Sequence, residues 1–285
     1  MAWRHLAAAG VATVIAAGVA GAQRGPVSFQ LTWVDRQGAR TPIGPLPPGT
    51  FAPRISPDGR RVAFDTGDGT IWIAELSALG SPRRLAAGRF PMWSPDGARV
   101  LFAGANGFQL FWQAADGTGE PERIAETARA PESWSTGLGL VSYITLTGAA
   151  DYDIWAFAPA DRSQKAVIVE PTSAQMSSRF SPDGKWIAYQ SNETRRFEIY
   201  VEPFPRTGTR VRVTDNGGER PVWSPDGREL FYDFEGTLYA AAVTTVPAFA
   251  ARTPVALPIT GFLQATGRRL WDVSPDGSRF LMMFP

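Results

Sequence analysis

The side chains best suited to catalysis are almost absent from this sequence of 285 residues. It has no cysteine, and its one histidine, His5, lies in an N-terminal segment with the features of a removable leader. Without that leader, Ser-His-Asp catalysis, histidine acid–base chemistry, the usual zinc sites, thiolate chemistry and disulfides are excluded. Carboxylates remain, and Glu132, Glu219 and Asp272 are the three that we place near one another. We assign no catalytic residue, metal site or cofactor.

Two carboxylates that face each other are sufficient for one class of catalysis. Glycoside hydrolysis uses an Asp/Glu pair separated by roughly 5 to 10 Å, one acting as acid and the other as base or nucleophile. A carboxylate-only enzyme, such as a glycoside hydrolase or lyase, is therefore one hypothesis. It requires two of the three carboxylates to lie close together and desolvated, and pairing with arginines would argue against it.

A repeat indicates the elements that must position these side chains. The tetrapeptide Ser-Pro-Asp-Gly occurs five times, and an altered sixth copy reads Trp-Ser-Thr-Gly at 134–137. The six motif serines are Ser56, Ser94, Ser135, Ser181, Ser224 and Ser274. Their spacings of 38, 41, 46, 43 and 50 residues are typical of a β-propeller, in which each repeat is one blade.

The aspartate of each motif is interpreted as a turn former. Proline presets φ for the second position of a β-turn, the aspartate accepts hydrogen bonds from nearby backbone N–H groups, and glycine adopts the positive φ that ends the turn. The turns lie one per blade, too far apart to form a shared site. The structural turn residues are Asp58, Asp96, Asp183, Asp226 and Asp276.

Short alternating segments predict four strands in each repeat, as in residues 180–214, where hairpin turns separate strand-like stretches. The aromatic residues beside the motifs are expected to pack between blades. Two further strands, at 28–34 and 40–43, precede the first motif. We therefore expect an all-β, six-bladed propeller of four-stranded antiparallel blades, closed by N-terminal strands that complete the last blade. The third unit, 125–165, is expected to be locally altered.

Residues 1–22 have the pattern of a signal peptide: Arg4, an uncharged stretch, then Ala20-Gly21-Ala22. This divides the chain into a leader, 1–22, and a propeller, 23–285, and predicts a periplasmic or secreted protein. No other stretch is long and apolar enough to span a membrane. Lys+Arg 28 against Asp+Glu 27 gives no basic excess, so no nucleic-acid partner is expected. A monomer is expected.

The innermost strand of each blade lines the channel, so its first residues are expected to ring one mouth. Arginine supplies planar donors that suit carboxylates, phosphates and protein interfaces. The alternative is that these charges are solvated or pair with one another. The predicted binding residues are Phe51, Arg54, Arg89, Glu132, Met176, Arg179, Glu219, Arg220, Arg269 and Asp272.

The stretches 54–64, 92–97, 179–189 and 221–232 resemble the TolB-like, WD-repeat-like propeller family of exported bacterial proteins. The likeness covers nearly all of the chain after the leader. Residues 31–38 and 197–205 are similar to the extracytoplasmic propeller joined to some bacterial serine/threonine protein kinases. The kinase motifs themselves are missing, since no Gly-rich phosphate loop precedes a strand lysine and a His-Arg-Asp loop needs histidine.

The resemblance implies a non-catalytic binding or scaffold module, or a ligand sensor, in the cell envelope. Its partner would be another envelope protein or envelope component. Two alternatives stay open: the carboxylate-only enzyme with its site in the channel, and a sensor fragment of a kinase-linked system.

Overall fold

A computed structural model of the chain describes residues 29–146 and 152–285. The predicted leader, 1–22, lies outside the described residues. No helix in these two ranges is long and apolar enough to cross a membrane. The strands of the described ranges are β1 (Phe29–Asp35), β2 (Arg40–Leu46), β3 (Thr50–Ile55), β4 (Arg61–Thr66), β5 (Thr70–Glu75), β6 (Ala78–Ala87), β7 (Arg89–Trp93), β8 (Arg99–Ala103), β9 (Leu110–Ala114), β10 (Glu122–Ala125), β11 (Ala128–Ser135), β12 (Leu140–Leu146), β13 (Tyr152–Phe157), β14 (Gln164–Ile168), β15 (Gln175–Phe180), β16 (Trp186–Ser191), β17 (Glu198–Pro203), β18 (Val211–Arg212), β19 (Glu219–Trp223), β20 (Glu229–Phe234), β21 (Thr237–Thr244), β22 (Ala250–Ala251), β23 (Val255–Thr260), β24 (Trp271–Val273) and β25 (Arg279–Phe284).

These strands form six antiparallel sheets, which are the blades of a propeller. Blade 1 contains β3 to β6, blade 2 β7 to β10, blade 3 β11 to β14, blade 4 β15 to β18 and blade 5 β19 to β23. Blade 6 has the strand order β2-β1-β25-β24, so the N-terminal strands supply its outer half. The predicted six-bladed, all-β propeller closed by N-terminal strands is confirmed.

Two blades differ from the others, one in its number of strands and one in its motif turn. In blade 5 the outer position is shared by β22 and β23, which both pair with β21. Blade 3, the unit expected to be altered, keeps four strands but has no motif aspartate in its first turn. Leu138 N–H donates there to Ser135 Oγ at 3.4 Å, and β11 has two shifts of register against β12.

The hydrophobic core lies between the blades and not within a single layer. The buried apolar residues of the described ranges form six clusters, and each cluster draws on two adjacent blades. An aromatic residue at the same place in the second strand of each blade is almost fully buried. These residues are Phe64, Phe102, Tyr143, Tyr189, Phe231 and Phe280. Blade-to-blade stacking of large side chains therefore holds the ring together.

The Ser-Pro-Asp-Gly turns join the innermost strand to the second strand in five blades. In blade 1, Asp58 Oδ1 accepts hydrogen bonds from Ser56 Oγ at 2.5 Å and from Arg60 N–H at 3.0 Å. Gly59 has φ +71°, a conformation in which glycine carries no steric cost. The corresponding contacts are made by Asp96, Asp183, Asp226 and Asp276. Each carboxylate is thereby engaged by its own turn.

Candidate functional site

The innermost strands carry a β-bulge at the same place in four blades. Their pairing with the second strand shifts between Phe51 and Arg54 in blade 1, and at equivalent positions in blades 2, 4 and 5. A residue with positive φ marks each bulge: Ala52, Phe90, Ser177 and Arg220. A bulge inserts one residue and reverses the alternation of side chains. Residues five and two positions before the motif serine therefore both face the channel.

One cavity of 1620 Å³ extends along the channel and is lined by residues of all six innermost strands. All ten residues proposed from the sequence lie on its wall: Phe51, Arg54, Arg89, Glu132, Met176, Arg179, Glu219, Arg220, Arg269 and Asp272. They do not form a single ring at one mouth. Arg54, Arg179 and Asp272 lie three positions further along the chain than Phe51, Met176 and Arg269, and so their backbone is at a deeper level.

Arg220 is the most fully bonded of these residues. Its Nη2 donates to Asp233 Oδ2 at 2.5 Å, its Nε to Asp233 Oδ1 at 3.0 Å, and its Nη1 to Glu219 Oε2 at 2.6 Å. Trp271 Nε1 of blade 6 also donates to Asp233 Oδ1, at 2.8 Å. Burial lowers the pKa of Arg220, but the hydrogen bonds and charge of Asp233 outweigh it and raise that pKa above its ordinary value. This network connects blades 5 and 6.

Glu132 is buried and held by the neighbouring blade. Its carboxylate accepts hydrogen bonds from Ser177 N–H, from Ser178 N–H at 2.8 Å and from Ser178 Oγ at 2.5 Å. Burial raises the pKa of the Glu132 carboxyl, and the bonds from Ser178 oppose that rise. Both oxygens are thus occupied by contacts that tie blade 3 to blade 4.

Asp272 also has partners in blade 1 and in the segment just before its own strand. Its Oδ2 accepts a hydrogen bond from Ile55 N–H at 2.9 Å, and its Oδ1 lies 3.1 Å from Arg269 Nη2. With Glu219 paired to Arg220, each of the three candidate catalytic carboxylates has a partner. Neither Glu219 nor Asp272 is left free of an arginine to act as acid, base or nucleophile.

Arg54 and Arg179 occupy equivalent positions in blades 1 and 4, which are opposite one another in a ring of six. Arg54 Nη1 donates to Pro53 O at 2.7 Å and Arg269 O at 3.1 Å, and Arg179 Nη1 donates to Ser178 O at 2.8 Å. Indole N–H groups of the following blades hold their strands, since Trp93 donates to Arg54 O and Trp223 to Arg179 O. The aromatic residues beside the motifs therefore also fix the backbone that carries the two arginines.

The mouth of the cavity combines aromatic rings with arginines. Arg268 lies over the rings of Phe51 and Phe90, 4.8 and 4.4 Å from their centroids, and it pairs with the buried Asp65 at 2.8 Å. Burial raises the pKa of Asp65, and the Arg268 charge opposes the rise. Arg89 donates to Gly67 O at 3.2 Å, and Met176 is half-buried on the wall.

Sequence reasoning missed Asp65, Asp233, Phe90 and Arg268. The two aspartates lie in second strands, where Asp233 pairs with Arg220 of an innermost strand and Asp65 pairs with Arg268 in the segment before β24. A buried acid in an otherwise apolar strand is the signal that identifies them. No group of three or more His, Cys, Asp and Glu side chains suited to a metal ion occurs within 29–146 and 152–285.

Comparison with known proteins gives partial sequence matches. No protein-family model matches the chain. The Tol-Pal system protein TolB of Hahella chejuensis is 37% identical to it over 80 residues. That stretch is 27% of this chain and 18% of the relative, so the match spans less than a fifth of the relative's length.

Solved structures match over most of the chain. A TolB structure from Agrobacterium tumefaciens has a TM-score of 0.70 and 18% identity, covering 92% of this chain and all of that one. An oligogalacturonate lyase in complex with manganese has a TM-score of 0.59 and 12% identity, covering 91% and 97%. Identities this low show the fold alone. The fold is that of a TolB-like six-bladed β-propeller.

Proposed function

We propose that this chain is an exported, non-catalytic binding module that contacts another envelope protein through the mouth of its channel. The observation that carries the proposal is the combination of a wide cavity with carboxylates that are already paired. Pockets for small ligands usually measure about 300 to 1,000 Å³, and this cavity of 1620 Å³ has room for an inserted loop or peptide. Its mouth offers aromatic, methionine and arginine side chains, the types enriched in protein interfaces.

The likeness to TolB supports a role alongside other proteins, since the sequence relative is named as part of the Tol-Pal system. The lyase likeness favours the alternative, a carboxylate-only enzyme, at the level of the fold only. Against it stand the contacts of Glu132, Glu219 and Asp272, each of which has a hydrogen-bond or ion-pair partner within the protein. A binding role requires no such free pair.

Export is the second part of the proposal. The leader pattern at 1–22 predicts cleavage after Ala22, so the mature protein would begin at Gln23. N-terminal sequencing of the protein recovered from the periplasm or the medium tests this directly. A cytoplasmic protein that still begins with the leader would refute export.

The binding role is tested by capture from native envelope extract with three tagged forms of the protein. One is the parent, and one carries Arg89→Glu and Met176→Glu at the mouth. The matched control carries Lys185→Glu and Arg228→Glu, two exposed residues of the motif turns at the other end of the innermost strands. Bound proteins are identified by mass spectrometry and then purified for direct binding.

A protein held by the parent and the control but released by the mouth variant supports the proposal. If all three forms hold it equally, the mouth is not the contact surface. If a purified candidate fails to bind the parent directly, the role as a protein-binding module is refuted for that partner, and turnover of oligosaccharides becomes the next assay.

A further inference from the structure

Three arginines from different blades line the same channel: Arg54 from blade 1, Arg179 from blade 4 and Arg269 from blade 6. They lie close enough to feel one another's charge, because the Arg269 guanidinium adds to burial in lowering the pKa of both Arg54 and Arg179. Burial and that neighbouring charge lower the pKa of Arg179 to about 9, so it remains a cation at neutral pH.

The three charges are poorly neutralised by the protein. Arg54 and Arg179 donate only to backbone carbonyl groups and form no ion pair among the described residues. Among the described residues, Arg269 has one carboxylate at ion-pair distance, Asp272, at its Nη2. Its side chain is 6% exposed, yet its Nε and Nη1 have no hydrogen-bond partner in the described part of the chain.

Other arginines of the same channel are neutralised by carboxylates. Arg220 has two carboxylate partners at 2.5 and 2.6 Å, and Arg268 has one at 2.8 Å. Glu132 lies near Arg179, but its oxygens are occupied by Ser177 and Ser178 and burial raises its pKa. Asp233 near Arg269 and Asp65 near Arg54 are already ion-paired, with Arg220 and Arg268. A buried donor without a partner is destabilising, because it has lost its hydrogen bonds to water and gained none in the protein. The unpaired donors of Arg269 therefore point to a missing acceptor.

We propose that Arg54, Arg179 and Arg269 form a binding site for a multiply charged oxyanion, one that carries carboxylate or phosphate groups. Guanidinium groups bind both bidentately through parallel N–H donors. For Arg54 and Arg179, the backbone is held in place before the ligand arrives by the indole bonds from Trp93 and Trp223 to their carbonyl groups. The inference goes beyond the protein-binding role, since a small anion binds here whether or not a protein partner does.

The test measures binding of citrate, pyrophosphate and neutral glycerol to the purified protein by calorimetry, with ionic strength held constant by sodium chloride. We expect saturable binding of at least one anion and none of glycerol. Citrate alone identifies carboxylate groups, pyrophosphate alone identifies phosphate groups, and both together identify charge as the criterion. Thermal unfolding with the same anions provides a second readout, because a ligand of the folded state raises Tm.

Arg54→Gln and Arg179→Gln are each expected to weaken the binding at least tenfold. Both variants should be as stable as the parent without anion, or more stable, because each relieves repulsion between like charges. Loss of binding is then separated from failure to fold. The control is Arg228→Gln, whose side chain is 84% exposed on a motif turn, and which should bind as the parent does.

Absence of saturable binding for both anions overturns the proposal, and so does binding that neither channel variant alters. A rise in Tm that sodium chloride reproduces at equal ionic strength likewise overturns it, since it reflects screening alone. Capture of a protein partner is a separate measurement. One proposal can therefore be refuted while the other still holds.

Discussion

Asp233 has a small side chain, but its removal should strongly lower the stability of the propeller. Its side chain is 1% exposed, and it accepts hydrogen bonds from Arg220 of its own blade and from Trp271 of the next. Asp233→Ala leaves the Arg220 guanidinium, itself 8% exposed, without its main partner. The change therefore strands a buried positive charge and a buried indole N–H together.

The expected loss follows from these contacts. Breaking a buried ion pair by removing one partner costs about 3 to 5 kcal/mol, and the unpaired indole adds about 1 kcal/mol. Arg220 keeps Glu219 at 2.6 Å, which offsets part of the loss. We therefore expect the free energy of unfolding of Asp233→Ala to fall by about 3 to 4 kcal/mol, a large share of the about 5 to 15 kcal/mol typical of a domain.

The assay is guanidinium chloride unfolding followed by tryptophan fluorescence, with the slope m compared between variants. Asp226→Ala in the same blade is the matched control, since that carboxylate is 61% exposed and bonds only its own turn and the nearby Arg228. It should lose no more than about 1 kcal/mol.

A second variant separates the buried charge from simple packing. Arg220→Met combined with Asp233→Leu removes both charges, and buried pairs replaced by apolar side chains are often neutral or more stable. The double variant should therefore be more stable than Asp233→Ala. A loss below about 1 kcal/mol for Asp233→Ala, or a double variant less stable than it, would refute the view that an unpaired buried charge is the cause.

Two further predictions concern the turns. Hydrogen bonds from Ser274 and Ser278 lower the pKa of Asp276 to about 2, below its unfolded value of 3.8. The contribution of the ionised carboxylate to folding stability is therefore present above pH 4 and is lost as pH falls toward 2. Asp276→Asn should therefore be less stable than the parent at pH 7, and this difference in stability should shrink by pH 2. Denaturant unfolding at the two pH values measures it. A difference that is the same at both would contradict the lowered pKa of Asp276. Glu235 and Gly236 form the two-residue turn between β20 and β21, with φ of 46° and 77°. Glu235→Asn should raise Tm and stabilise the protein by up to about 1 kcal/mol, because asparagine tolerates positive φ better than glutamate. A lower Tm would show that the turn is not strained.

The blades were predictable from sequence because their signals are local. Proline, aspartate and glycine in one tetrapeptide specify a turn by their own conformational preferences, and the repeat spacing counts the blades. Closure was predictable too, since two strand patterns before the first motif had to pair with the strand after the last one. These inferences need no knowledge of distant contacts.

Which residues line the channel could be predicted. The two depths at which they lie, and the charge pairs that they form, could not. The bulges at Ala52, Phe90, Ser177 and Arg220 involve no glycine, so the sequence carries no sign of the positive φ that turns two levels of side chains inward. Asp233 lies 13 residues from Arg220, and the pair forms only when β19 and β20 align across that bulge. Pairing of charges depends on such registers, which composition does not reveal.

The closure of blade 6 has a consequence for the order in which the protein folds. β1 pairs with the whole length of β25, from Gln30 opposite Phe284 to Asp35 opposite Arg279. Because these strands come from the two ends of the described chain, this sheet assembles only after nearly all of the chain is available. Until then the apolar faces of blades 1 and 5 that pack against blade 6 stay uncovered. A late, long-range contact of this kind is slow to form and leaves the open ring prone to aggregate.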